Sequence, residues 1–254
     1  MVDRHADRFA AWLLRLEQRH LADLTFSEVS RALRALSSTY VERRGRLAEG
    51  AALSGAGKRA AFALFYGPLH YLLVREIVRA LPGATGSFGT LVDLGCGTGV
   101  SGAAWGISCA SPPQILAIDR HPWALAEAAL TYRDFGLIAR ARQADVSAAP
   151  LPKTPASILA AFTLNEMPAE KREALLHRLV DRARGGDRVL IVEPIARFVT
   201  PWWTAWSDVV LKDGGRADEW RFQIDRPPLV RKLDRAVGLD HRELTGRSLW
   251  LQRR

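Results

Sequence analysis

Apolar and polar positions divide the chain into a helical first third and an alternating remainder. In residues 5–20, Phe9, Trp12, Leu13 and Leu16 share one stripe at helical spacing, which predicts an amphipathic helix. Thr25 and Glu28 stand at capping-box spacing, with Ser27 as the alternative cap, so a second helix opens there. Its apolar face continues through Val29, Leu33 and Leu36 towards Tyr40. Residues 43–57 are charged, then small and glycine-rich, and read as a connector. Residues 58–66 are expected to be helical. Gly67-Pro68 breaks or kinks that helix, and Pro68 opens a further one to about Leu81 along Leu69, Leu72, Leu73 and Ile77.

From Leu91 onward, strand-length apolar runs alternate with helices. Strands are expected at 91–94, 114–119, 139–144, 157–162 and 187–193, with helices at 101–109, 121–135 and 170–183. That alternation builds a parallel sheet with right-handed crossovers. The run 157–162 is apolar after its first residue and therefore central. Trp202, Trp203, Trp206 and Trp220 mark an aromatic insertion at 197–222, read as a helix plus an irregular cover, and residues 228–237 read as another helix. Residues 241–251 read as two short strands around a tight turn at Gly246, a connection only antiparallel neighbours can make. The division expected is a helical region, 1–82, and an α/β domain, 83–254.

Composition narrows the class. The 254 residues are 48% hydrophobic and 25% charged, enough for a core without staples. The two cysteines, Cys96 and Cys109, form no metal-ligand pattern, so neither zinc nor an iron–sulfur cluster is expected. No run suits a signal peptide or a membrane helix, which points to a cytoplasmic protein with no membrane partner. The net charge of +9 attracts phosphate polymers such as RNA. Lysine occurs only at positions 58, 153, 171, 212 and 232, so the arginine excess equally reflects coding composition.

The candidate chemistry centres on Leu91-Val92-Asp93-Leu94-Gly95-Cys96-Gly97-Thr98-Gly99-Val100. A buried strand meets three alternating glycines, which let backbone approach a ligand at the start of a helix. Read from Gly95, the dinucleotide spacing G-x-G-x-x-G fails at Val100. Read from Gly97, Gly99 and Gly102, its first glycine stands two residues late. Asp119 closes the second strand, where a carboxylate can accept both ribose hydroxyls of a nucleotide-like cofactor, or simply cap a helix. Asn165 and Glu166 follow the central strand, where polar atoms face the cleft or cap the next helix. Where a general base is needed, Glu166, His70 and Tyr66 are the candidates. The Asn-Pro-Pro-aromatic pattern is absent, which argues against a base-flipping adenine N6 enzyme.

With an acid two residues before G-x-G-x-G, the chain resembles class I S-adenosylmethionine-dependent methyltransferases. The resemblance implies an α/β fold with a seven-stranded Rossmann-like sheet, mostly parallel with a C-terminal antiparallel hairpin, behind an N-terminal helical cover. It implies S-adenosylmethionine as cofactor. Asp93 would hold the methionine end, with the backbone of Gly95, Cys96, Gly97 and Gly99 along it. Asp119 and Arg120 would lie at the ribose, Asp145 and Val146 at the adenine, and Thr163 at the fourth strand's exit.

Within the class, Ala35-Leu36-Ser37-Ser38-Thr39-Tyr40, residues 61–71, Leu164-Asn165-Glu166-Met167 and Val192-Glu193-Pro194 resemble the Rsm22 family of ribosomal small-subunit methyltransferase-like proteins. The family's iron–sulfur cysteines are missing after Pro194, and Tyr66 stands where members often have arginine. The resemblance implies methyl transfer to an RNA acceptor. The alternatives are a small-molecule O-, N- or C-methyltransferase and a non-catalytic ribosome-associated factor.

Overall fold

The computed structural model describes residues 4–42, 53–153, 155–196 and 200–252, with backbone only for 4–6 and 38–42. Residues 43–52 of the expected connector and 197–199 of the aromatic insertion lie outside them. The chain forms two compact units, Met1–Leu72 with Gln223–Leu244, and Leu73–Phe222 with Thr245–Arg254. The first change of unit along the chain, between Leu72 and Leu73, falls inside a helix.

The first unit is helical. It contains α1 (Arg4–His20), α2 (Phe26–Glu42), α3 (Ala56–Ala61), the start of α4 (Gly67–Ala80), and α9 (Pro228–Ala236). The stripe of α1 puts Trp12 and Leu16 in the core, and Phe9 stacks on Tyr71 with ring centroids 4.5 Å apart. The capping box closes as expected. Glu28 N–H donates to Thr25 Oγ1 at 3.3 Å, and Thr25 N–H donates to Glu28 Oε2 at 2.8 Å. The expected break at Gly67-Pro68 does not occur. A π turn, Phe62–Tyr66, joins α3 to α4, with Gly67 N–H donating to Phe62 O. In a regular helix the Pro68 ring would meet the carbonyl of residue 64, and a π turn offsets that register.

The second unit is the mixed seven-stranded sheet with flanking helices. Its elements are β1 (Thr90–Leu94), α5 (Val100–Ser108), β2 (Gln114–Asp119), α6 (Pro122–Asp134), β3 (Ala139–Gln143), β4 (Ser157–Ala161), α7 (Ala169–Arg184), β5 (Arg188–Glu193), α8 (Trp203–Lys212), β6 (Arg216–Phe222) and β7 (Leu244–Gln252). The order is β3-β2-β1-β4-β5-β7-β6. β1 pairs in parallel with β2 and β4, and β7 lies antiparallel to β5 with Glu193 opposite Arg247.

Two local readings are corrected. Residues 216–222, expected as irregular cover, form strand β6. Residues 244–252 are one strand rather than two around a turn, with Gly246 inside it. A Cβ at Gly246 would come within 3.0 Å of Leu73 Cδ2, so this glycine serves close packing instead of a turn. Trp202, Trp203 and Trp206 are buried in the core with Leu175, Leu176 and Leu179 of α7 and the strand residues Ile158, Ala160, Val189 and Ile191. Their burial makes them packing residues of the core. No helix among the described residues is long and apolar enough to cross a membrane.

Candidate functional site

The glycine bend is built by contacts on three sides. Gly95, Gly97 and Gly99 all have left-handed backbone, at φ +66°, +51° and +77°. Gly95 N–H and Cys96 N–H donate to Ile118 O at 2.8 and 3.0 Å. Gly97 N–H donates to Asp119 Oδ2 at 2.9 Å, while Asp119 Oδ1 accepts His121 N–H at 2.8 Å. Asp119 thus pins the bend to the end of β2 with one hydrogen bond per oxygen. A carboxylate has about four acceptor positions, so each oxygen keeps capacity for a hydroxyl. A Cβ at Gly95 would lie 2.2 Å from Thr163 Cγ2, and one at Gly99 would lie 3.0 Å from Ala128 Cα. Thr98 Oγ1, within the same bend, is buried with no hydrogen-bond partner among the described residues.

Asp93 lies beneath this bend. It accepts the Tyr132 hydroxyl at 2.7 Å and Gly102 N–H at 3.1 Å, joining β1, α5 and α6. Burial pushes its carboxyl up to about 7, against the pull of those two hydrogen bonds. A Cβ at Gly102 would fall 2.3 Å from Asp93 Oδ2, so a glycine outside the expected site residues makes room for the acid.

At the next strand end, Phe162 adopts φ +57°, rare for an aromatic residue, and the chain folds into a 3-10 turn, Leu164–Glu166. Thr163 Oγ1 lies within hydrogen-bond distance of the carbonyls of Leu94, Gly95 and Ala161, at 3.2, 3.1 and 3.0 Å. The turn is held from below by Glu193, at the end of β5. Its Oε1 accepts Leu164 N–H at 2.9 Å and its Oε2 accepts Asn165 Nδ2 at 2.7 Å. Glu193 is fully buried, and burial pushes its carboxyl up to about 8. It was not among the expected site residues. The available signal was an acid closing an apolar strand, the same pattern as Asp119.

Glu166 lies 3.8 Å from Arg120 with about a third of its side chain open. Desolvation raises its carboxyl to about 7, Arg120 pulls it down, and Asp119 pushes it up. Because β1 sits between β2 and β4, Arg120 and Glu166 reach towards each other across the end of β1. Asp145 is exposed and occupied by its neighbours. It accepts Lys171 Nζ at 2.6 Å, Ser147 Oγ at 2.7 Å and Ser147 N–H at 2.9 Å, which hold it down at about 2. Ala144 N–H donates to Asp119 O at 3.0 Å, tying the chain just before Asp145 to the end of β2. Val146 is buried in the core. His70 belongs to the helical unit, with its ring 5.9 Å from that of Tyr66, and burial lowers its pKa to about 3.

These shifts set a pH dependence. Asp93, Glu166 and Glu193 have folded pKa values raised to about 7, 7 and 8, so their contribution to stability is full below the ordinary carboxylate range. It is lost as pH rises through 7 to 8. Lowered His70 acts oppositely, its contribution growing up to its ordinary pKa of 6.5. Above that value the carboxyls act unopposed by it. Thermal melts at constant ionic strength should therefore show the melting temperature falling from pH 6.5 to 8.5, with a shallower fall in Asp93→Asn. An unchanged profile in that variant would remove Asp93 from the account.

Residues 91–186 match a family model described as a methyltransferase domain. A search of the curated proteins finds no match. Among solved structures, the mitomycin 7-O-methyltransferase MmcR is 13% identical with TM-score 0.55, the match covering 99% of this chain and 76% of that one. An O-methyltransferase family protein from Burkholderia thailandensis is 16% identical with TM-score 0.51, covering 95% of this chain and 70% of that one. A SAM dependent methyltransferase from Aquifex aeolicus is 14% identical with TM-score 0.50, covering 73% of this chain and 93% of that one. Residues 91–186 are thus similar to a methyltransferase domain, and the likeness to the solved structures is one of fold.

Proposed function

We propose that the chain is a cytoplasmic S-adenosylmethionine-dependent methyltransferase. The observation that carries this reading is Asp119 clamping the glycine bend with one oxygen each on Gly97 and His121 while keeping acceptor capacity for two hydroxyls. The residues present fit the cofactor. Asp119 suits a ribose diol, the bend between Gly95 and Gly99 suits an amino-acid tail, and Thr98 Oγ1 is an orphaned polar atom in the same bend. Asp145 and Val146 remain the proposed adenine contacts, with Arg120 beside the ribose. When bound, the cofactor supplies an electrophilic methyl group on a sulfonium. The chain's residues then align an acceptor and exclude water. Glu166, raised towards neutrality, is suited to taking a proton.

Two acceptors have support. RNA of the ribosomal small subunit, the acceptor implied by the Rsm22-like motifs, is favoured by exposed Arg140 and Arg142 on edge strand β3. A small molecule is favoured by fold likeness to two O-methyltransferase structures across almost the whole chain. Calorimetry with S-adenosylhomocysteine should give saturable binding, and NADH should give none; the reverse outcome would overturn the reading. Tritiated methyl transfer into ribosomal RNA or into a metabolite extract then distinguishes the acceptors. Binding without any labelled product would favour the non-catalytic factor.

A further inference from the structure

Parallel strands are ordinarily buried on both faces, and β1, β4 and β5 follow that rule. Edge strand β3 does not: Arg140, Ala141, Arg142 and Gln143 are all exposed. The pairing register sets Arg140 beside Leu116 and Arg142 beside Ile118, so both arginines stand on one face of the sheet. Further in, that face is covered by Leu175, Leu176 and Leu179 of α7, packed on Val92, Leu94, Ile158 and Ala160. Ile138, two residues before Arg140, continues the stripe and is 72% exposed.

Charges on an edge strand ordinarily guard against pairing with other chains. On β6, the opposite edge, those charges are compensated: Arg216 holds Asp218, and Glu219 lies 3.8 Å from Arg247. On β3 they are not. Neither Arg140 nor Arg142 has a hydrogen bond or ion pair among the described residues. By contrast, Arg172, Arg178, Arg182 and Arg184 of α7 each hold a carbonyl or a carboxylate. Residues 135–144 include no acid, and the next one, Asp145, is taken up by Lys171 and Ser147. The stripe also runs towards the edge of the sheet that carries the glycine bend. There Gln143 Nε2 donates to Arg120 O at 3.0 Å, so a third guanidinium follows at the end of β2.

We propose that the Ile138–Arg140–Arg142 face of β3 docks the phosphate backbone of a single-stranded nucleic acid and leads it towards the glycine bend. A flat, open strand lacks the concavity that retains one small anion. A polyanion needs none, because each phosphate neutralised releases condensed counterions. Side chains two residues apart on a strand are about 6.6 Å apart, so each guanidinium takes its own phosphate. Residues 136–144 include no aromatic ring on which a base could stack, so the contact is to backbone and independent of sequence. Delivery of an acceptor to the bend rests on the methyl-transfer reading; docking does not.

Fluorescence anisotropy with a labelled oligouridylate, repeated across potassium chloride concentrations, tests the surface. Arg140→Thr/Arg142→Thr removes both charges while keeping residues suited to a strand. The slope of log affinity against log salt should become shallower by about 1.4, which is about twentyfold in affinity at about 0.1 M salt. Lys232→Ala/Arg235→Ala removes the same charge from exposed positions on α9 and should change the slope by less than half as much. S-adenosylhomocysteine affinity should stay within about threefold in both.

Thermal melts establish folding, and Arg140→Gln/Arg142→Gln replaces the threonine variant if that one does not fold. An unchanged slope in the β3 variant, or equal changes in the two double variants, overturns the proposal. Tighter binding of an oligoglutamate than of the oligouridylate assigns the surface to an acidic protein and overturns it too. If the unsubstituted protein binds the oligouridylate as expected but not S-adenosylhomocysteine, docking stands and methyl transfer falls. The reverse outcome removes docking alone.

Discussion

Replacing Asp119 with alanine should lower affinity for S-adenosylhomocysteine by about a hundredfold or more, because charge-assisted hydrogen bonds contribute about 1.5–3 kcal/mol each. Two bonds to backbone N–H groups disappear at once, those to Gly97 and His121, and with them any bonds to the sugar. The bend after β1 then loses its tie to Asp119, although Gly95 and Cys96 still hold Ile118 O. Asp119→Asn separates the contributions. Its single carbonyl can keep one backbone bond, and its NH2 offers a donor where an acceptor is needed, so its affinity should fall between the other two. Calorimetry on all three proteins provides the measurement. Retention of binding within about threefold in Asp119→Ala would show that the sugar is held elsewhere.

The largest stability loss is expected at Asp187, far from any candidate ligand group. Its side chain is fully buried, accepts Ala156 N–H at 2.8 Å, and pairs with Arg182. It therefore locks the starts of β4 and β5 to the last turns of α7. Asp187→Ala leaves a guanidinium and a backbone N–H without their acceptor, a loss of about 3–5 kcal/mol by the usual cost of breaking a buried pair. Urea unfolding should show that shift, and Asp187→Asn, which can still accept from Ala156, should lose less. A cost under about 1 kcal/mol would mean that Arg182 finds another partner.

The sequence was readable wherever local rules and burial agreed. The capping box at Thr25 and Glu28, the fully buried β4, and the acids at the ends of β1 and β2 all stand where pattern alone puts them. The sheet's C-terminal edge was not readable at the level of individual strands. β6 carries Arg216, Asp218, Glu219 and Arg221, charges normal on an edge strand but poor in apolar signal. Gly246 looked like a turn because nothing in one dimension shows Leu73 lying against it. At the site, Asp93 and Asp119 share the strand-end signature, yet one goes to Tyr132 and Gly102 and the other to the glycine bend. Only packing separates them. Glu193 and Asn165, 28 positions apart, became partners through the adjacency of β4 and β5, a long-range pairing that spacing does not encode.

The placement of β7 between β5 and β6 has a consequence for how the molecule assembles. A strand late in the chain occupies an interior slot, so an earlier neighbour, β6, has no mate until that insertion happens. Closing such a long detour is slow compared with zipping adjacent hairpins. In the interval the outer flank of β5 offers bare peptide groups to other molecules, as does β6. Refolding from denaturant should accordingly end with a late phase reported by Trp250 on β7, after the β1–β2–β4 centre has already formed.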